Sequence, residues 1–186
     1  MPRINNKGLL YADRTPKDVY YYLKALWRND IPVLHVASRD WTDRSGIQTD
    51  GDVVLQPVKI YTNLAEVEVF IDGRSLGKKQ SENCTVIVDV PFTQGNHFVR
   101  AVGMKDGKYI EDGLIIKFTA IPSKLTNENL NGLELAVNVG SNCFFTSDES
   151  NLTWVPDRQY EPGSWGYING ENTKEEGTQS QIFLTA

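Results

Sequence analysis

The hydrophobic pattern near the start of the chain predicts one amphipathic helix over residues 16–29. Its apolar side chains recur at i, i+3, i+4, i+7 and i+8, as Val19, Tyr22, Leu23, Leu26 and Trp27. This spacing places them on one stripe of a helix with about 3.6 residues per turn. Thr15 stands where it can cap the first turn, and Ile31 before Pro32 disfavours further helix. A single helix of this kind needs a partner surface, and no second helix is indicated.

Between residues 33 and 121 the hydrophobic period changes from 3.6 to two. The alternating apolar or small side chains include Val58, Ile60, Thr62, Val67, Val69, Ile71, Val86, Val88 and Val90. The pairs Asp72-Gly73 and Asp106-Gly107 separate such runs and favour tight hairpin turns. About seven short strands, with a turn every 8–12 residues, are typical of an immunoglobulin-like β-sandwich. The fold class predicted is therefore mainly β, with one N-terminal helix.

The last third of the chain differs in charge and in pattern. Residues 122–186 hold three basic and nine acidic side chains, against ten and twelve in residues 31–121. Residues 122–132 are polar and indicate a linker. Beyond them come one β-like run and an aromatic-rich loop. This segment, residues 133–186, is too short to bury a core alone, so we expect it to pack on the sandwich, on another chain or on itself through self-association.

Charge and composition exclude several classes of function. The formal net charge of −5 opposes nucleic-acid binding, and no run of apolar residues is long enough to span a membrane. Cys84 and Cys143 are expected as free thiols rather than as a disulfide. Together with His35 and His97 they do not form a recognisable metal site, although a calcium site built from carboxylates and carbonyls stays open. No cofactor motif is present, so no cofactor is expected.

Glycoside hydrolysis requires two converging carboxyl groups, and the sequence offers none that converge. The candidate pairs are Glu66 with Glu68, Glu111 with Asp112, and Glu175 with Glu176. Each lies on a strand or in a polar loop, where paired charges usually face water. His35 could act as a general base, but it falls within an apolar alternation, which favours a core histidine. We therefore predict no catalytic residue in this chain.

An aromatic cluster is the one candidate binding site. Four side chains fall within 14 positions, and they are Trp154, Tyr160, Trp165 and Tyr167. Flat aromatic faces suit sugar rings, and the tips of Trp and Tyr can donate hydrogen bonds. An oligosaccharide is the partner that such a site would bind. The alternative, which the scarcity of strands favours, is that these rings form the core of a partial domain.

Four segments before residue 121 carry a family resemblance: residues 7–18, which run into the Tyr20-Tyr21-Tyr22 helix, and residues 32–41, 58–63 and 67–77. Together they resemble glycoside hydrolase family 2, the β-galactosidase family. Residues 7–18 resemble the end of its catalytic barrel, and residues 32–41 resemble the start of the sandwich that follows the barrel. The other two segments are similar to the strongest motif of that sandwich. The resemblance covers residues 1–121 and implies the division into 1–30 (barrel remnant), 31–121 (sandwich), 122–132 (linker) and 133–186.

The C-terminal motifs resemble a different domain. Residues 136–141, 152–154 and 160–167 are similar to the opening of a malectin-like carbohydrate-binding domain, which is much longer than residues 133–186. The resemblance implies a fragment whose catalytic glutamates lie upstream of Met1. We expect this chain alone to be inactive, and its partner to be the catalytic barrel of a β-galactosidase-like parent that degrades polysaccharides in a bacterial periplasm or at the cell surface. An adhesion module is a further alternative.

Limited proteolysis tests these boundaries. The polar segments 122–132 and 170–180 should be cut first, because exposed polar connections are the preferred sites of nicking. Mass spectrometry of the early fragments locates the cuts. A chain that stays intact under the same protease would contradict the predicted linkers and indicate a firmly docked C-terminal segment.

Overall fold

The computed structural model describes residues 8–48, 51–127, 129, 135–146 and 153–170. Two compact units divide the chain: unit 1 is residues 1–44 with 53–119, and unit 2 is residues 45–52 with 120–186. The helix and strands of the described residues are α1 Asp18–Trp27, β1 Leu34–Val36, β2 Asp43–Ile47, β3 Val54–Thr62, β4 Glu66–Ile71, β5 Arg74–Gln80, β6 Thr85–Phe92, β7 Gly95–Lys105, β8 Lys108–Ile121, β9 Ala136–Asn138, β10 Phe145–Thr146 and β11 Thr153–Pro156. A mainly β fold with one N-terminal helix is thus confirmed.

Two sheets enclose the core of unit 1. One has the strand order β1-β3-β6, and the other has the order β2-β8-β7-β4-β5. The alternating side chains predicted to point inward on β3, β4 and β6 are all buried. Phe92 of β6 stacks on Phe118 of β8 with ring centroids 4.9 Å apart. Because these rings come from different sheets and both are 0% exposed, both sheets contribute to one apolar core.

The hairpin turns of unit 1 follow the predicted chemistry. Asp72-Gly73 and Asp106-Gly107 both have positive φ at each residue, as a two-residue turn of type I′ requires. A third such pair, Asn83-Cys84 between β5 and β6, has φ values of 50° and 58°. Its flanking residues Glu82 and Thr85 exchange two backbone hydrogen bonds of 2.9 Å. The sequence did not indicate this turn, because neither residue is glycine.

The helix is shorter than predicted, and Thr15 does not cap it. It spans Asp18–Trp27, and Lys17 takes the N-cap position, where its side chain does not cap the helix. Pro16 instead forms a β-bridge with Leu10. The N–H of Lys17 donates to the carbonyl oxygen of Leu9 at 3.0 Å. The bridge keeps the residues before Asp18 extended, so the helix begins later than local preferences suggest.

Only part of the predicted apolar stripe of α1 is covered. The helix contacts β1 and β3, and Tyr22 packs against Tyr61 with ring centroids 5.3 Å apart. Ala25 is the buried position of the helix. Trp27 is 71% exposed, and Val19 and Leu26 are also exposed. The helix therefore has one face on the sheet and an apolar face open to solvent.

Unit 2 has its own small core. Ile121, Val155 and Trp165 are buried together, and half-buried side chains such as Leu125 and Phe144 pack around them. β11 pairs with β9 in parallel and with β10 in antiparallel orientation. The predicted β-like run over 133–139 is realised as β9, with 133–134 outside the described residues. A loop was expected from Gly46 onward, but Gly46 and Ile47 belong to strand β2. The strand forms because it pairs with β8, and local sequence does not reveal such pairing.

Three further expectations concern the whole chain. Cys84 and Cys143 are free and half-buried, which confirms two thiols rather than a disulfide. Over the described ranges, no helix combines the length and apolar character that crossing a membrane would take. The division at residues 30, 121 and 132 stays a prediction.

Adjacent isoleucines on β8 test the core of unit 1. Ile116 is 0% exposed and Ile115 is 62% exposed. Ile116→Ala should lower the free energy of unfolding by about 2–5 kcal/mol, because it leaves a cavity between the sheets. Ile115→Ala, the matched control, should change it by no more than about 0.5 kcal/mol. Urea unfolding followed by tryptophan fluorescence measures both. Equal effects at the two positions would contradict the assigned inward face of β8.

Candidate functional site

The four aromatic residues predicted to bind sugar differ in their burial. Trp165 is 8% exposed and belongs to the core of unit 2. The Arg158 guanidinium lies over its ring, 4.2 Å from the centroid. Such a cation–π contact covers a ring face that a sugar would need. Trp165 therefore forms part of a hydrophobic core, which was the alternative to sugar binding.

The other three aromatic residues are more accessible. Trp154 on β11 is 38% exposed and Tyr160 is 44% exposed, while Tyr167 is half-buried. The N–H of Tyr160 donates to the carbonyl oxygen of Tyr167 at 3.0 Å, so the backbone brings these two residues together. Sugar binding by this group stays a prediction.

His35 is a buried residue that ties the helix to the sheet. It is 2% exposed, and its Nε2 lies 2.7 Å from Oδ1 of Asp18. The ring of Tyr21 stacks on it at 3.8 Å between centroids, nearly parallel. Nδ1 lies 3.7 Å from Oδ2 of Asp112. Because a ring and two carboxylates surround the imidazole, the structure supports the core role and not that of a general base.

The Asp18 carboxylate is held in its charged form by its partners. It accepts hydrogen bonds from His35 and from the backbone N–H of Ser38. Burial by itself raises the pKa of Asp18, but these hydrogen bonds and the nearby charges of His35 and Arg39 outweigh burial, so the pKa is lowered. Asp18, His35 and Ser38 thus form a clasp between α1 and the segment that begins with β1, and we call it the Asp18–His35 clasp.

The acid pairs on the strands of unit 1 do not converge. Asp112 accepts the N–H of Val36 at 2.7 Å and pairs with Arg39. Its neighbour Glu111 pairs with Arg100 and accepts the hydroxyl of Tyr109. Successive side chains on a strand point to opposite faces, so these two carboxyl groups diverge.

Of the other two candidate acid pairs, the structure describes Glu66 with Glu68 only. Glu66 pairs with Lys78 at 2.8 Å, and Glu68 accepts the hydroxyl of Ser75 at 2.6 Å. Both glutamates are half-buried on the face opposite the core, as expected. Glu175 and Glu176 lie outside the described residues.

His97 has partners that the sequence did not indicate. Nδ1 lies 2.6 Å from Oδ2 of Asp72, and Nε2 lies 3.3 Å from Oγ1 of Thr93. The order hydroxyl, imidazole and carboxylate is that of a nucleophile with its base. However, Nε2 also lies 3.0 Å from the backbone oxygen of Thr93, and Asp72 accepts the N–H of Phe98. These contacts join the hairpin turn at Asp72 to the connection between β6 and β7, so His97 has a structural role.

A surface groove of about 780 Å³ lies beside α1, β3 and the turn between β5 and β6. Its lining includes Tyr22, Lys59, Tyr61, Lys79, Gln80 and Ile87, and we call it the tyrosine–lysine groove. β3 and β6 supply its floor, α1 contributes one tyrosine, and β5 contributes polar side chains. The sequence analysis missed it, although an outward-facing lysine, tyrosine and isoleucine on neighbouring strands are an available signal.

Comparisons with known proteins find this chain similar to a region of larger enzymes. Residues 55–111 match the family described as Domain of unknown function (DUF4982). A curated β-glucuronidase of Bacteroides fragilis is 30% identical over 102 residues, which are 53% of this chain and 14% of that protein. The chain corresponds to a region of glycoside hydrolase family 2 enzymes, so that resemblance is confirmed.

Two solved structures are much closer in sequence. A Bacteroides uniformis β-glucuronidase is 66% identical over 91% of this chain and 20% of its own, with a TM-score of 0.82. Bacteroides uniformis β-glucuronidase 2, covalently bound to cyclophellitol-6-carboxylate aziridine, is 62% identical over 97% of this chain and 22% of its own, also with a TM-score of 0.82. The chain thus spans about one fifth of their length. These two relatives are named β-glucuronidases, whereas the sequence resemblance implied a β-galactosidase.

The Asp18–His35 clasp predicts a stability that depends on pH. Asp18→Asn should lower the free energy of unfolding near neutral pH by about 1.5 kcal/mol, toward the weak end for hydrogen bonds to charged groups because the side chain is partly exposed. Because the folded pKa of Asp18 is lowered, this contribution is present above its unfolded pKa, about 3.9, and is lost as the pH falls through the folded value.

Urea unfolding of the native chain and of Asp18→Asn between pH 2 and pH 7 measures the difference. The two curves should converge at the acid end. Asp89→Asn, at an exposed carboxylate on β6, is the matched control and should stay within about 0.5 kcal/mol of the native chain. A gap between the native chain and Asp18→Asn that stays constant down to pH 2 would contradict the clasp.

Proposed function

We propose that this chain is a non-catalytic structural region of a glycoside hydrolase family 2 enzyme that cleaves β-linked glucuronides. The observation that carries the proposal is the use of carboxylates on α1 and β8 as structural partners. Asp18 and Asp112 accept backbone N–H groups, and Glu111 pairs with Arg100 on the opposite face. An acid/base pair for glycoside cleavage needs two carboxyl groups facing one sugar ring. The names of the B. uniformis relatives support the glucuronide rather than the galactoside.

In this proposal, the uncovered face of α1 is the contact surface for the catalytic barrel of the parent chain. Val19, Leu26 and Trp27 are exposed on a helix whose other face lies on β1 and β3. An exposed tryptophan flanked by aliphatic side chains is costly in water and typical of an interface. The two sheets of unit 1 then act as an immunoglobulin-like β-sandwich that buttresses the barrel. The enzyme would work in a bacterial periplasm or at the cell surface.

A second candidate function is carbohydrate binding by unit 2. The exposure of Trp154 and Tyr160 favours it, as does the resemblance of their surroundings to a malectin-like domain. The burial of Trp165 weighs against a four-residue platform. Self-association through residues 133–186 is the alternative use of the same exposed rings.

Substitution of Trp27 tests the proposed barrel contact. Trp27 is 71% exposed in this chain, so Trp27→Ser should change the stability of the isolated chain by no more than about 0.5 kcal/mol. In the longer enzyme the same substitution should lower the melting temperature, because it opens a gap in a buried contact. Differential scanning fluorimetry of both proteins measures the contrast. Ile115→Ser, at an exposed position on β8, is the control and should be silent in both.

Two results would contradict the proposed function. One is an equal effect of Trp27→Ser in the isolated chain and in the longer enzyme. The other is hydrolysis of an aryl β-glucuronide by the isolated chain that Glu66→Gln or Glu111→Gln abolishes, because the proposal leaves this chain inactive on its own.

A further inference from the structure

The tyrosine–lysine groove combines features that a binding site for an acidic sugar requires. Tyr61 forms a half-buried part of the floor, and Tyr22 approaches it from α1 with its ring tilted by 52°. Ile87 lies beside Lys59 in the strand register and is 62% exposed. The floor thus presents two aromatic rings and one aliphatic side chain to solvent. Sugar C–H faces pack on such surfaces, while neighbouring polar groups bind the hydroxyls.

The polar lining of the groove is cationic on balance. Lys59 and Lys79 line it, together with the single acid Glu82. The chain as a whole has a formal net charge of −5, so this local excess of lysine runs against the general composition. Ammonium groups form charge-assisted hydrogen bonds with carboxylates. The charge therefore favours an anionic ligand over a neutral one.

The amides of the lining add neutral hydrogen-bonding groups. Gln80 ends β5, and its Nε2 donates to Oε2 of Glu66 at 2.8 Å. Asn83 lies in the tight turn between β5 and β6. Asn83 is held at a positive φ of 50° by that turn, which fixes where its side chain leaves the backbone. Side-chain amides both donate and accept hydrogen bonds, as sugar hydroxyls do. A volume of about 780 Å³ lies within the range of about 300–1,000 Å³ for small-ligand sites.

We propose that the tyrosine–lysine groove binds an acidic oligosaccharide whose repeating unit contains a hexuronate. The anionic class comes from the groove itself, and the choice of a hexuronate rests on the proposed function in glucuronide cleavage. The rings of Tyr22 and Tyr61 contact the sugar faces, and Lys59 and Lys79 bind the carboxylates. Five of the six residues that define the groove fall within residues 55–111, the part matched by the domain of unknown function. The groove gives that domain a role in holding acidic chains near the enzyme.

Isothermal titration of the full chain with a hyaluronan tetrasaccharide tests the proposal, with cellotetraose as the neutral comparison. The acidic sugar should bind at least about tenfold more tightly than the neutral one, and its affinity should fall as salt is raised.

Lys79→Gln should weaken binding of the acidic sugar about tenfold, and Glu82→Gln should strengthen it about twofold to threefold. Lys108→Gln, at an exposed lysine on β8, is the matched control and should have no effect. Tyr22→Phe should retain binding, and Tyr22→Ala should lose it.

Weaker binding by Lys79→Gln together with stronger binding by Glu82→Gln cannot result from a general loss of folding. Circular dichroism checks that each variant is folded. The proposal is overturned if both sugars bind equally, if neither binds at millimolar concentration, or if Trp154→Ala abolishes binding while Lys79→Gln does not. That last result would show that the sugar binds to unit 2 and not to the groove. The titration requires no catalysis, so failure here leaves the Trp27 test of the proposed function unaffected, and the converse also holds.

Discussion

The position of α1 on the sheet depends on a partly buried hydrogen bond between a carboxylate and a buried imidazole. His35 is 2% exposed, and a buried imidazole without partners is costly. Asp18 of the helix meets that requirement at 2.7 Å, and Tyr21 covers the ring. One carboxylate on the first turn of the helix therefore sets where the helix lies. The placement of Tyr22 in the groove and of Trp27 in solvent both follow from it.

The same contacts explain why a region of a hydrolase family is predicted to have no chemistry of its own. A catalytic carboxyl group must be free to exchange a proton with the substrate. Asp18 and Asp112 instead accept backbone N–H groups, and the pKa of Asp18 is lowered because its hydrogen bonds with His35 and Ser38 outweigh the effect of burial. Carboxylates used in this way stabilise a scaffold. A scaffold that presents an apolar helix face is consistent with a chain that spans one fifth of its enzyme relatives.

Sugar recognition is proposed at two places that differ in their physics. The exposed rings of unit 2, Trp154 and Tyr160, offer flat apolar faces and suit neutral sugars. The tyrosine–lysine groove of unit 1 adds two ammonium groups and suits acidic ones. Charge therefore distinguishes the two sites more sharply than shape, because aromatic stacking depends little on the substituents of a sugar ring.

The sequence by itself determined β3, β4 and β6 with their inward faces, and two of the tight turns. Alternation of apolar residues and the conformational freedom of Asp-Gly pairs are local properties, so Val58, Ile60 and Asp72-Gly73 could be interpreted without a structure. Only the tertiary structure decided the partners of His35 and Asp112. Val36 and Asp112 are 76 positions apart, and no local preference encodes such a pairing. The later start of the helix, the strand β2 and the burial of Trp165 were decided in the same way, because each depends on contacts between distant parts of the chain.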